Sequence, residues 1–346
     1  MCTRVYNNKD RNYLSTARNM DWMEELRTTL FAYDRGLNKS GLENGKGLKW
    51  KSKYKSVVAI VGDPSSYAAA DGINSNGLVV NTLYDANAQY SEQTGKDDEL
   101  SILRLVQYIL DKYERVDIAV KKLNKSLNIK KSVKIVNAIV PGAAAKPATL
   151  HISISDRYGD SAIIEMKNDE TVFYNDVKTN IMTNDPGYQK QIQLMSFWQW
   201  QWSIENNDRT KTMPGSPVAS DRFARALLYY NQLSEPTNMQ ESLFQSKSIV
   251  MNASVPLGYK GDPESPYISN TIWSTISNHR DNIYYFANAR TPSTIWIELN
   301  LVDFSKHRIQ SLNVVDIVDS KPINKVFEHI NITKQLKSDV DPFGCC

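Results

Sequence analysis

Cysteine and histidine are scarce in this chain of 346 residues, which holds three of the first and four of the second. The cysteines are Cys2, Cys345 and Cys346, so none lies in the middle of the chain to build a disulfide framework or a CxxC metal site. His151, His279, His307 and His329 follow no ligand spacing, and no cysteine–histidine pairing of a papain kind is visible. Neither a GxGxxG nor a GxxxxGKS/T segment occurs, which argues against nucleotide binding. These gaps leave no metal and no cofactor to expect. No apolar run approaches the ~20 residues that span a bilayer, and the opening MCTRVYNNKDRN has no apolar core of a signal peptide. Charge of one sign is not concentrated either. Lys+Arg 41 against Asp+Glu 38 gives a dispersed +3, without the basic face that nucleic acid requires. Repeats and anchoring segments, which a structural or adhesive protein would need, are absent.

What remains is an ordinary globular composition, 41% apolar and 23% charged, long enough for one large domain or two smaller ones. Strand patterns run over 2–6, 13–20, 56–61, 69–73 and 78–84, the last two joined by Asn74-Ser75-Asn76-Gly77, a hairpin signal. Helical spacing covers 99–113 and 116–127. Strands return at 133–140, 148–155, 161–166 and 171–174, and His151 falls in one of them as a strand residue rather than a base. The middle is helical over 189–204, 220–233 and 241–251, with Ser220 as an N-cap followed by Asp221. Strands over 271–277, 283–289 and 294–299 close the body. Two blocks of strands with helices between them predict an α+β fold of packed antiparallel sheets covered by helices. The expected division is a single domain over 2–304 and a polar, less periodic extension over 305–346 of uncertain order, ending in a cysteine pair without function.

Chemistry concentrates at the N-terminus. Cys2 alone reads as an incidental thiol in a frayed end. If Met1 is removed, however, one residue carries both a thiol and a free α-amine. The amine, with an ordinary pKa of roughly 7.7–8.0, accepts a proton near neutral pH, so a single residue supplies nucleophile and base. Arg4 lies in the same strand, and Arg18 and Asp21 follow in Thr16-Ala17-Arg18-Asn19-Met20-Asp21-Trp22. If the two strands pair, a guanidinium beside the thiol favours thiolate, and a carboxylate orients the amine. The spacing alone fits equally an Arg–Asp surface pair worth about 0–1 kcal/mol.

Cys2-Thr3-Arg4 and the Thr16–Trp22 run resemble the penicillin V acylase and bile salt hydrolase (choloylglycine hydrolase) family of N-terminal nucleophile hydrolases. The resemblance continues through residues 71–81 (DGINSNGLVVN), 159–165, Met182-Thr183-Asn184-Asp185-Pro186, Pro214-Gly215, Ser220-Asp221-Arg222-Phe223-Ala224-Arg225-Ala226 and residues 252–256. It runs in order from Cys2 to about Phe304 and leaves the rest outside. It implies a four-layer αββα fold and amide hydrolysis through an acyl-enzyme on Cys2, with Met1 lost by processing. Asp21 would hold the amine, and Arg18 would bias the thiol toward its charged form. Asn184 would donate its side-chain amide to the oxyanion, and the backbone just after Asn81, near Tyr84, would give the second donor. Arg222 matches the family's distal arginine, with Arg225 the alternative one turn on, and Asn175 reads as a turn residue.

Trp22 and Tyr84 are the expected walls of an apolar acyl pocket. The Met-Asp-Trp and Ser-Asp-Arg-Phe forms resemble the Gram-negative penicillin V acylase branch. The implied substrate is therefore a small N-acyl amide, penicillin V or an N-acyl-homoserine lactone. Conjugated bile salt is the alternative substrate, and a non-catalytic acyl-ligand binding protein is the alternative of another class. The resemblance also implies a homotetramer, to which a helical arm bearing Trp198, Trp200 and Trp202 would contribute. It implies a periplasmic location if Met1 replaces a removed leader, and a cytoplasmic one otherwise.

Overall fold

The computed structural model describes residues 2–142, 146–167, 170–175, 179–203, 211–260, 269–314 and 330–345; Met1 and Cys346 lie outside them. Two mainly antiparallel sheets dominate. The seven-stranded sheet runs, in spatial order, Ile181–Met182, β1 (Cys2–Asn7), β2 (Ser15–Trp22), Asn270–Asn278, Ile283–Asn288, Ile295–Glu298 and Ile330–Asn331. The nine-stranded sheet runs Glu170–Tyr174, Ser161–Lys167, Leu150–Ser155, Val79–Tyr84, Ser66–Asn74, Ser56–Asp63, β3 (Thr28–Tyr33), Ile309–Asn313 and Lys337–Ser338. Helices α1 (Leu105–Lys112) and α2 (Val116–Asn124) cover the nine-stranded sheet. Of α3 (Tyr188–Gln201), α4 (Ala219–Gln232) and α5 (Met239–Asn252), the last two cover the seven-stranded one. This is the αββα sandwich, with the core between the sheets. Among the described residues no helix is long and apolar enough to cross a membrane.

Every residue of β1 and β2 is buried, because both faces of this sheet are covered. The period of two then sorts the side chains. Asn7, Ser15 and Asn19 reach the backbone carbonyls of α5, whereas Arg18 crosses to the Thr82 carbonyl of the other sheet. So Cys2, Arg18, Met20 and Trp22 share the inter-sheet face, and Asp21 lies on the helix side.

The hairpin closes as expected. The Asn74 side chain accepts from the Asn76 and Leu78 N–H groups, and Gly77 has φ +72°. A Cβ there would stand 2.3 Å from the His279 carbonyl oxygen, so the position requires glycine. The His279 ring pins the same turn: Nδ1 donates to the Gly77 carbonyl at 2.7 Å, and Nε2 accepts from the Thr16 hydroxyl at 2.8 Å. Burial pushes this imidazole down to about 3, so it is neutral in the folded chain and titrates near its ordinary value when unfolded. A depressed folded pKa means stability is full above ~6.5 and is lost as the pH falls from ~6.5 toward 3, by at most about 1.4 kcal/mol per pH unit. Urea titrations between pH 7.5 and 5 are expected to show this slope in the wild type and a flatter one in His279→Gln; equal slopes would contradict it.

Three expectations change. The helix predicted from 99 begins only at Leu105. Glu99–Ser101 instead pairs in parallel with Lys134–Val136, and the Ser101 hydroxyl caps a 3-10 turn by accepting from Leu103 N–H. At the start of α4, Ser220 is inside the first turn, and the Asp221 carboxylate accepts from Ser216 N–H. The extension expected after residue 304 is not an appendage. Ile309–Asn313 pairs with β3, Ile330–Asn331 extends the other sheet, and Phe343 is fully buried. Lys39, itself buried under the Tyr33 ring, is held by Asp341 at 2.7 Å. Burying a lysine requires a paired charge, and the last residues supply it.

Candidate active site

β1 and β2 pair with Cys2 opposite Met20 and Arg4 opposite Arg18. This register brings the Arg18 Nη2 to 3.5 Å from Cys2 Sγ and leaves Cys2 2% exposed. The same Nη2 donates to the Thr82 carbonyl at 2.6 Å and touches Met20 Sδ at 3.0 Å, while the guanidinium lies over the Trp273 ring at 4.6 Å. The cation is therefore fixed from several sides against the sulfur.

Behind Arg18 stands Asp71, fully buried, with its carboxylate 3.8 Å from Nη1. It accepts from Asn81 Nδ2 at 2.8 Å, from the Tyr284 hydroxyl at 2.9 Å and from the Thr275 hydroxyl at 3.2 Å. Burial pushes this carboxyl up, opposed first by the Arg18 charge and then by the three donors. The Asn81 side chain has a task separate from the main-chain donor expected just after it. Asp71, Asn81 and Ser153 are cross-strand neighbours, so the Asn81 amide is committed to Asp71 and accepts from the Ser153 hydroxyl at 3.1 Å. Its side chain reaches Cys2 only through Asp71 and Arg18. Sequence reasoning gave Asp71 no role, although an acid inside Ala68-Ala69-Ala70-Asp71-Gly72-Ile73 was a visible signal.

On the other side of Cys2 lies the Thr183–Asn184 turn. Cys2 N donates to Asn184 Oδ1 at 2.6 Å, and the Asn184 NH2 donates to the Tyr84 carbonyl at 2.7 Å. An amide NH2 carries two hydrogens, so one remains beyond the Tyr84 bond. The turn is held by Gln191, whose amide donates to the carbonyls of Asn184 and Pro186.

Arg222, not Arg225, enters this site from α4. Its guanidinium donates to the Cys2 carbonyl at 2.5 Å, the Thr3 hydroxyl at 2.6 Å, Asn184 Oδ1 at 2.7 Å and the Pro217 carbonyl at 2.8 Å. Burial pulls its pKa down, opposed first by Asp21, 3.8 Å away, and then by Cys2. Arg225 points to the carbonyls of Pro214 and Ser216 instead. Asp21 accepts from the Thr271 hydroxyl at 2.6 Å. Being one position beyond Met20, the partner of Cys2, it sits at the N-terminal end of β1. The expected hold of Asp21 on the α-amine concerns a chain that begins at Cys2, whose nitrogen here bonds Asn184 Oδ1.

Trp22 and Tyr84 meet edge to face with ring centroids 6.2 Å apart. Asn175 is exposed at the end of Glu170–Tyr174, clear of the site. Trp198 in α3 and Trp202 just after it pack against the core, and Trp200 is 53% exposed beside Phe197.

A buried thiol at the head of an inner strand, flanked by arginines between two antiparallel sheets under helical layers, is the arrangement of an N-terminal nucleophile hydrolase. The chain belongs to the linear amide C–N hydrolases, choloylglycine hydrolase family, which it matches over residues 2–318. It is 35% identical over 323 residues to a penicillin V acylase of Pectobacterium atrosepticum, covering 88% of this chain and 82% of the relative. Its fold superposes on the penicillin V acylase of Agrobacterium tumefaciens with a TM-score of 0.81 at 32% identity, covering 100% of this chain and 99% of that one. A conjugated bile acid hydrolase of Clostridium perfringens shares the fold at a TM-score of 0.74 and 17% identity, over 90% of this chain and 97% of that one. The protein is a hydrolase of amide bonds.

Proposed function

We propose that this chain is a cysteine amidase that cleaves a linear N-acyl amide, penicillin V or an N-acyl-homoserine lactone, through an acyl-enzyme on Cys2. The observation that carries this reading is the Arg18 guanidinium fixed 3.5 Å from Cys2 Sγ. The reaction requires Cys2 to be the first residue of the mature chain. Its α-amine accepts the thiol proton, and the sulfur attacks the amide carbonyl. The free hydrogen of the Asn184 amide stabilises the oxyanion, a role whose loss typically costs 10²–10³ in rate. Collapse of the intermediate breaks the C–N bond, and the α-ammonium returns its proton to the leaving amine. Water then hydrolyses the thioester. Arg222 fixes the Cys2 main chain and Asn184 relative to each other, and Asp21 balances its charge.

The Trp22–Tyr84 pair suits a phenoxyacetyl group or an acyl chain, and the relatives named penicillin V acylase favour the former. The exposed face of α3 bearing Leu194, Phe197 and Trp200 is our candidate contact for a homotetramer. A monomer by light scattering would refute that assignment. Export to the periplasm, with leader removal exposing Cys2, is the matching proposal for location.

The test is hydrolysis of penicillin V, a medium-chain acyl-homoserine lactone and a glycine-conjugated bile salt, combined with intact mass of the active protein. Turnover of the first or second by chains beginning at Cys2 is expected. Turnover of the bile salt alone would overturn the substrate assignment. Full activity with residue 1 retained would overturn the free-amine mechanism.

A further inference from the structure

One face of the nine-stranded sheet, just behind the Asn184 turn, gathers Asp85, His151 and Glu165 from three neighbouring strands or their ends. All three are buried, and one ligand atom of each lies within 4.8 Å of the others. His151 Nε2 meets the Thr183 carbonyl at 2.9 Å. A carbonyl only accepts, so Nε2 carries the hydrogen. Nδ1 stands 3.9 Å from Glu165 Oε1 without a hydrogen-bond partner, and the residue is 1% exposed. Asp85 Oδ1 accepts from Asn87 N–H, whereas Oδ2 is buried and unpartnered. The hydroxyl of Thr149, whose backbone carbonyl accepts from Asp85 N–H, is likewise buried and unpartnered. Glu165 is held on one side by Lys167 Nζ at 2.5 Å and by the Tyr174 hydroxyl, and Tyr188 N–H donates to Oε1.

Buried polar atoms are normally satisfied, and the orphans His151 Nδ1 and Asp85 Oδ2, on residues whose ligand atoms cluster within 4.8 Å, mark something that binds there. The group opposite Nδ1 is the Glu165 carboxylate, an acceptor and not a donor. A lone pair facing carboxylates calls for a cation. An imidazole that gives its other N–H to a backbone carbonyl is also the arrangement of a metal-ligating histidine, its tautomer fixed and its free nitrogen turned to the ion. One nitrogen and two carboxylate oxygens suit zinc or a similar transition metal rather than calcium or magnesium, which take oxygen ligands alone.

We propose that Asp85, His151 and Glu165 bind one divalent transition-metal ion, which braces the Thr183–Asn184 turn through the His151–Thr183 hydrogen bond. The metal is structural and takes no part in bond breaking. Its position explains why a buried histidine holds the carbonyl next to the proposed oxyanion donor.

Cysteine thiols also bind zinc, so the test uses the full chain carrying Cys2→Ala, Cys345→Ser and Cys346→Ser. Incubated with zinc, desalted and measured by elemental analysis, it is expected to retain about one equivalent. Its melting temperature is expected to rise by about 4 °C at a hundredfold excess of zinc over Kd. Adding Asp85→Asn or, separately, His151→Gln to this background is expected to drop bound zinc at least tenfold and abolish the shift, while calcium gives neither effect. Less than a tenth of an equivalent bound, with an unchanged melting temperature, would overturn the proposal. So would zinc retained undiminished in both variants. Both readouts are independent of hydrolysis, so the site and the proposed function fail separately.

Discussion

Cys2→Ala is expected to lower kcat for the cleaved amide by on the order of 10⁴-fold or more, with the residual rate set by binding and the oxyanion donor. The folded state should hardly notice. The side chain buries one sulfur against Met20 and Arg18, and alanine removes no hydrogen bond that the fold depends on. Cys2→Ser is the sharper control. It keeps size and polarity but replaces a thiol by a hydroxyl, a far weaker nucleophile at neutral pH, so it is expected to fall close to the alanine variant. Release of the free amine product, followed by chromatography at saturating substrate, measures both. Equal rates of amine release by wild type and Cys2→Ala would remove Cys2 from the mechanism.

Much of this site was legible because its parts are local. β1 and β2 are consecutive strands, so Cys2, Arg18 and Asp21 follow from one pairing. Their register needs only the period of two and a short connection. The hairpin at Asn74–Gly77 and the helices α3 to α5 were readable for the same reason: turn chemistry and 3.6-residue periodicity act within a few residues. Asn184 and Arg222 are different. No local pattern ties either to Cys2, and only the family resemblance brought them forward; the structure then places both within hydrogen-bond reach of Cys2 atoms.

What escaped was set by contacts between distant strands. The Asn81 side chain is claimed by Asp71 and Ser153, a consequence of how three strands line up, and nothing in Leu78–Asn81 announces it. The strand Thr28–Tyr33 is rich in β-formers, yet its place in the nine-stranded sheet depends on Ile309–Asn313, far along the chain. The polar character of the C-terminal residues reads as a loose extension because sheet-edge strands and a buried Lys39–Asp341 pair leave little apolar periodicity. Asp85, His151 and Glu165 lack ligand spacing for the same reason: strand pairing, not sequence proximity, brings them together.

The second large effect is expected at Arg222, where stability and catalysis are coupled. Arg222→Leu removes a fork that bonds four acceptors from within a fully buried site and takes away the guanidinium that faces Asp21. Breaking a buried pair by deleting one partner typically costs about 3–5 kcal/mol. Hydrolysis should fall by more than about 10²-fold even where the variant remains folded, since Asn184 Oδ1 and the Cys2 carbonyl lose the group that spans them. Arg222→Lys keeps the charge but presents no planar fork, so it should recover part of the stability and little of the rate. Arg225→Leu gives the contrast. Its guanidinium serves two loop carbonyls away from Cys2, and a loss below about threefold in kcat/KM is expected. The double variant Arg222→Leu, Asp21→Asn separates the two functions of the arginine. Neutralising Asp21 should return part of the lost stability in urea titration, and none of the lost rate. If activity returned together with stability, charge balance would be the whole contribution of Arg222, and the geometric role assigned to its contacts with Cys2 and Asn184 would be wrong.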